Sequence, residues 1–258
     1  MSLTSYPLVL FLLCLAFLYF AAQVGDRCRE RIGALREEQR ADFDVVLGAM
    51  LTLLGLLIAF MFSMGVSRYD LRKSYEEAEA NAIGTEYLRA DLVAEPDASL
   101  IRELLRRYLD QRVMFYTTRD RARLDAIAEA TSKIERELWA SVRPKPETQV
   151  TPVTSLVVSG MNDVLNSEGY TQAAWRNRIP VSAWALMLCI AACCNVLIGY
   201  GSRAGGQRIL LIVPIAVSIA FFLISDVDSP RGGAIRVAPI NLLSVADSVG
   251  APALQVTH

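Results

Sequence analysis

The 258 residues include one histidine, and it is the last, His258. No imidazole is available in the body of the chain as a general base or metal ligand. A dominant charge is missing as well: 26 Lys+Arg against 27 Asp+Glu give a net charge of −1. That balance leaves no basic footprint for nucleic acid, so no such partner is expected. The motifs of catalysis are missing too. There is no Walker A loop, GxSxG, HExxH, CxxC pair or EF-hand loop. The chain therefore reads as a non-enzyme, with no catalytic residue, no cofactor and no metal assigned.

The most informative absence is local. Residues 1–25, 45–66, 179–202 and 209–225 carry no charged side chain, although the chain as a whole holds 53 charged residues besides His258. A bilayer core about 30 Å thick takes roughly 20 apolar helical residues. Four stretches of this kind exclude a soluble globular protein, a secreted disulfide scaffold and a disordered chain. The first, PLVLFLLCLAFLYFAAQV, lacks a positive leader and a small-x-small cleavage site, so it reads as a retained anchor rather than a signal peptide. Of the five cysteines, Cys14, Cys189, Cys193 and Cys194 lie in apolar stretches and read as small hydrophobes, while Cys28 lies in a charged connector. The stretches hold no Asp, Glu, Lys, Arg or His at depth, which argues against an ion-coupled pump. A pore gated by an apolar constriction remains open.

These observations predict an all-α protein: four transmembrane helices with a helical bundle inserted between helices 2 and 3. Residues 1–66 hold the first two spans (about 7–25 and 45–66) and a charged connector. Residues 67–178 form the soluble helical domain, 179–225 the hairpin of spans three and four, and 226–258 a Gly/Pro-rich, briefly amphipathic tail. Within 67–178, the spacing of Ile101, Leu104, Leu105, Tyr108 and Leu109, then Leu124, Ile127, Thr131, Ile134 and Leu138, follows a helical period. Asp97 is the expected N-cap after the Glu95-Pro96 break. Thr117-Thr118 is an expected kink, PKPETQVTP an expected loop, and Glu168-Gly169 an expected interruption. The charged run 67–92 reads either as a solvated helix or as a basic cluster at a pore mouth, Arg68, Arg72 and Lys73.

In the second span Gly55, Ala59 and Ser63 recur every four residues and form a ridge suited to close helix packing. Leu56, Leu57, Phe60 and Met64 are read as the opposite side. In the third span Asn195 is expected to bond to a neighbouring helix. Asp226, Asp228 and Arg231, after span four, are expected to fix the exit turn by a local salt bridge. Lys and Arg near the span ends number seven on each side of the membrane, which leaves orientation unset.

The run SRYDLR-x6-EANAIGTEYLRADL and the later DVDSPRGGAIRVAP resemble the bacterial bestrophin-like domain family, membrane proteins of unassigned function with a distant resemblance to bestrophin anion channels. The residues that carry the resemblance include Tyr69, Asp70, Glu79, Asn81, Asp226, Asp228, Pro230 and Arg231. The resemblance implies a homo-oligomer in a lipid bilayer, passing anions through a neck lined by Leu56, Phe60 and Met64. It also implies a multi-pass protein of the bacterial inner membrane with a cytoplasmic middle domain. Where bestrophins carry a longer acidic cluster and Pro-Phe, this chain has only Asp226, Asp228 and Pro230-Arg231, so no calcium site is expected. The rival reading is a membrane-anchored sensor or scaffold whose helical domain binds a partner or ligand.

Overall fold

Small side chains at the meeting point of two apolar helices determine how closely the first part of the chain packs. The computed structural model describes residues 6–143, 151–202 and 211–250. Among them every regular element is helical, as expected, and there is no strand. The helices are α1 (Pro7–Ile32), α2 (Glu37–Arg89), α3 (Asp97–Thr117), α4 (Arg121–Val142), α5 (Pro152–Arg176), α6 (Val181–Gly201), α7 (Ile212–Asp228) and α8 (Ile240–Ser248), with a 3-10 turn at Ala90–Leu92. Three helical stretches, Pro7–Ile32, Glu37–Leu92 and Pro152–Gly201, are long and apolar enough to cross a membrane. The described part of α7 has 17 residues. The expected SRAGGQR turn and the start of the fourth span fall largely outside the described residues, as does most of the expected loop 144–152.

The helices form two compact units. The first comprises residues up to Tyr69 and Arg178–Arg236. Here α1 packs on α6 and α7. Its buried residues Leu10, Cys14, Leu18, Ala22 and Gly25 recur at three- to four-residue intervals, one face of a helix. The contact closes through one glycine on each helix. A Cβ on Gly25 would collide with the backbone carbonyl of Val196, and one on Gly199 with that of Ala22. Membrane helices gain no hydrophobic drive from packing on one another, so close backbone approach at small residues is what holds such a pair. Phe11 meets Phe222 edge-on at 6.3 Å, and Trp184 meets Phe221 at 5.9 Å. Asn195 is fully buried, but its amide donates to Ala191 O, 2.8 Å away in its own helix, not to a neighbouring one. The carbonyl four residues back is the nearest acceptor in any helix, so the side chain bonds there instead.

The second unit comprises Asp70–Asn177 and the chain from Val237 onward. The later part of α2 lies here with α3, α4 and α5, and α3 packs on both α4 and α8. The tail therefore contributes a helix to this unit. Three local expectations are corrected. At α3 the capping carboxylate comes from Glu95, which accepts from Ser99 N at 3.1 Å, because Asp97 is already the first helical residue. Thr117-Thr118 is not a kink but the end of α3; Asp120 caps the next helix through Ala122 N. Glu168-Gly169 does not interrupt α5, which continues to Arg176. Gly169 is exposed, and a single glycine costs a helix only about 1 kcal/mol. The start of α5 is secured by a reciprocal Thr151–Thr154 capping box.

Replacing Gly199 by Ala should lower stability by about 1–3 kcal/mol, the usual cost of overpacking. The same change at Gly48, where a Cβ meets nothing within 4 Å, should not. Thermal unfolding of the two variants in detergent checks the difference.

Candidate functional site

Helix α2 carries most of the residues singled out in the sequence. In the first unit its inward face is Leu54, Ile58, Met61 and Gly65, with Leu54 and Met61 nearly inaccessible. Gly65 stands against α7, where a Cβ would come 3.7 Å from Val227. The two rows of the sequence reading both face away from this core. Gly55, Ala59 and Ser63 are exposed, and nothing lies within 4 Å of a Cβ built on Gly55. Leu56, Phe60 and Met64 are exposed too, at 52%, 59% and 37%. The rows are not on opposite sides of the helix. Adjacent residues are about 100° apart at 3.6 residues per turn, so the rows are neighbours on one broad outward surface. Only 11% of the apolar segment of α2 is covered by its own chain, against 33% in α1.

The basic cluster divides. Lys73 is exposed and Arg68 half-buried, its Nε without a hydrogen-bond partner among the described residues. Arg72 is 1% exposed. Its Nε donates to Ala174 O at 3.3 Å and its Nη2 to Asn177 O at 3.5 Å. These are carbonyls at the C-terminal end of α5, where a cation is favoured by the helix dipole. Arg72 therefore belongs to packing, not to an exposed basic cluster.

In the second unit the buried face of α2 is lined by charge. Arg72, Glu76, Glu79, Ile83, Glu86 and Ala90 recur every three to four residues and are all buried. Each carboxylate is used differently. Glu76 accepts from Asn241 N at 2.9 Å, Leu242 N at 3.0 Å and Asn241 Nδ2 at 2.6 Å. It thus satisfies the open N–H groups of α8, whose own N-cap position is a proline. Glu79, fully buried, pairs with Arg112 of α3 and also accepts from Tyr116 Oη at 3.2 Å and Thr171 Oγ1 at 3.0 Å. Arg112 reaches on to Glu168 at 3.6 Å and lies 4.6 Å from the centre of the Phe115 ring. Glu86 has only Arg89, at 3.6 Å, and neither carboxyl oxygen has a hydrogen bond among the described residues. Burial pushes its carboxyl up to about 7, with Asp163 adding to the rise and Arg89 opposing it. Gly160 of α5 leaves the room that Glu86 and Arg89 occupy.

Of the other motif residues, Tyr69 is half-buried, and Asp70 and Asn81 are exposed. In the first unit Asp226 and Asp228 are 4% and 2% exposed. Their carboxylates bind backbone at the exit turn. Asp226 accepts from Ala234 N at 2.8 Å and Ile235 N at 2.9 Å, and Asp228 from Ile179 N at 3.2 Å. A Cβ on Gly233 would stand 2.8 Å from Asp226 Oδ1, so the exit loop needs glycine there. Pro230 is buried and Arg231 half-buried. Among the described residues no group of three His, Cys, Asp or Glu is arranged to hold a metal.

Sequence reasoning missed the partners of the α2 carboxylates. One signal was present: Arg112 is four residues after Tyr108 and four before Tyr116, inside the apolar stripe of α3. A cation on that face needs a buried anion.

Among the described residues the regular elements are helices, and three helical stretches are long and apolar enough to cross a bilayer, which is the pattern of one class, helical membrane proteins. The Bestrophin-like domain matches residues 9–242, and the chain belongs to that family. A crystal structure of a bacterial bestrophin homologue from Klebsiella pneumoniae is similar, with 14% identity, a TM-score of 0.64 and coverage of 95% of this chain and 99% of that one. A single-residue variant of the Klebsiella pneumoniae homologue matches at 13% identity and TM-score 0.63, covering 94% and 97%. A variant described only as a membrane protein matches at 14% and 0.63, covering 93% and 97%. At these identities the likeness is one of fold. No curated protein matches the chain.

Glu79→Gln should destabilise the protein by about 3–5 kcal/mol, because it leaves Arg112 charged and buried without its partner. The double change Glu79→Met, Arg112→Met should recover much of that loss; thermal melts of the three proteins test it. A second expectation concerns pH. Glu86 holds its proton up to about pH 7 in the folded protein but releases it near 4.5 when unfolded. Its contribution therefore makes stability fall as pH rises from about 4.5 to about 7 and levels off above that, where both states are ionised. Glu86→Gln should remove that part of the slope in melts recorded between about pH 4.5 and pH 8.

Proposed function

We propose that this protein is an oligomeric, anion-conducting membrane channel in which α2 of each copy lines a shared axis. The observation that carries the proposal is the uncovered outward surface of α2. It is apolar, runs for about five helical turns and is left almost bare by its own chain. A lone helix in lipid has no need of a small-residue ridge beside a bulky row, whereas an oligomer uses both. Gly55, Ala59 and Ser63 let a neighbouring copy approach closely, and Leu56, Phe60 and Met64 meet around the axis as a constriction that excludes water. Membership of the bestrophin-like family supports the same reading.

In this arrangement four spans, about 7–25, 45–66, 179–201 and 208–225, anchor each copy in a bacterial inner membrane, with residues 67–178 in the cytoplasm. Arg68 and Lys73 supply the basic charge that draws anions to the constriction. Arg72 no longer counts among them, because its guanidinium is engaged with α5.

Two measurements test the proposal. Mass determination of the detergent-solubilised protein should give a closed homo-oligomer, and Ala59→Leu should break it into smaller species. In liposomes, Phe60→Ala should raise anion flux at least several-fold over wild type. Arg68→Gln should lower the preference for anions, less so at high salt, because exposed charges are screened over about 8–10 Å. A monomer, or liposomes silent for both wild type and Phe60→Ala, would overturn the channel reading in favour of a membrane-anchored scaffold.

A further inference from the structure

A cleft of about 530 Å³ opens between α4 and α5 in the second unit, lined by Glu135, Arg136 and Trp139 of α4, by Arg143 at its C-cap and by Leu165 of α5, with Ser132 and Ala140 beside them. Its volume lies within the range of small-molecule sites, about 300–1,000 Å³. None of these residues enters the channel argument. Arg136, Trp139 and Arg143 are spaced i, i+3, i+7, so they share one face of α4, with the arginines about 10 Å apart along the axis and the indole between them.

Two features distinguish this face from an ordinary solvated one. Both arginines are exposed and neither has a carboxylate partner among the described residues, whereas Arg102, Arg106, Arg107 and Arg112 on α3 all have one. Trp139 is 42% exposed at the same place. A water-facing helix gains nothing from an indole there, while a ligand that covers it gains a flat apolar surface. Guanidinium groups on both sides favour negative charge and bind carboxylate or phosphate through two parallel hydrogen bonds.

We propose that this cleft binds a small anion carrying a planar ring: the ring covers Trp139 and the acidic group is held by Arg136 or Arg143. Glu135 forms the inner edge. It faces Glu168 of α5, Arg112 of α3 and Glu79 of α2, with Arg136 beside it on α4, and burial and Glu168 push its carboxyl up to about 7. Near neutral pH it is partly protonated and can donate a hydrogen bond to the anion. A bound negative charge favours the protonated form further, so binding takes up a proton.

Isothermal titration of the full chain in nanodiscs with 2-naphthoate and with AMP tests this. At least one should bind, and which one separates a carboxylate from a phosphate ligand. Acetate and 2-naphthalenemethanol, each carrying half of the required chemistry, should bind at least tenfold more weakly. Arg136→Gln, Arg143→Gln or Trp139→Ala should weaken binding about tenfold, in line with loss of a charged hydrogen bond. Arg121→Gln, exposed at the start of the same helix, should not. At pH 7 the binding heat of 2-naphthoate, whose carboxylate is already fully ionised, should depend on the buffer, and Glu135→Gln should abolish that dependence while the ligand still binds. Absence of binding by both probes at millimolar concentration, or binding indifferent to Arg136, Arg143 and Trp139, would overturn the proposal.

Discussion

The contact between Glu79 and Arg112 is the constraint around which the second unit is organised. Unlike Glu86, the buried Glu79 carboxylate has its oxygens filled, drawing donors from Arg112 and Tyr116 of α3 and from Thr171 of α5. Those three partners set the rotation of α2, α3 and α5 against one another more narrowly than apolar packing would, since Leu and Ile tolerate small sliding and a fully used carboxylate does not. The aromatic residues follow from it. Tyr116 and Phe115, one turn along α3 from the arginine, close on Trp175 at 5.3 and 5.0 Å and shut water out of the pair.

The first unit relies on another kind of constraint. Its helices are apolar nearly all round, so hydropathy distinguishes no inner face. Shape does: α1 and α6 touch where Gly25 and Gly199 remove the side chain, and the buried positions follow from that point. Helix α2 joins this group through Met50, Leu51, Leu54, Ile58, Met61 and Gly65. The rest of its apolar circumference has no use within one chain, which is why the functional reading turns on it.

Much of this is legible in the sequence. Charge-free runs of apolar residues give long helices directly, and the period of Ile101 to Leu109 and of Ile127 to Leu138 locates α3 and α4. The buried seam is not legible. Arg72, Glu76, Glu79 and Glu86 have the spacing of a core stripe, but hydropathy assigns such residues to solvent, and only the three-dimensional partners show why they are inside. Arg72 escapes a sequence reading for this reason. The relation of the two rows on α2 escapes it differently, because counting ridges ignores the 100° step between adjacent residues. Asn195 is misread because a polar side chain in an apolar helix suggests a neighbouring helix, whereas the carbonyl four residues back in its own helix is the nearer acceptor.

The bond from Glu76 to the start of α8 spans 165 residues. During synthesis α2 emerges long before its capping partner exists, so for most of the time the ribosome is at work this carboxylate remains hydrated. The second unit closes only when nearly the whole chain is available, and closing so long a loop is slow compared with local helix pairing. The tail thus acts as the last fastener of the unit, and a chain released before residue 241 would present an unfinished α2 seam to the cell's quality control.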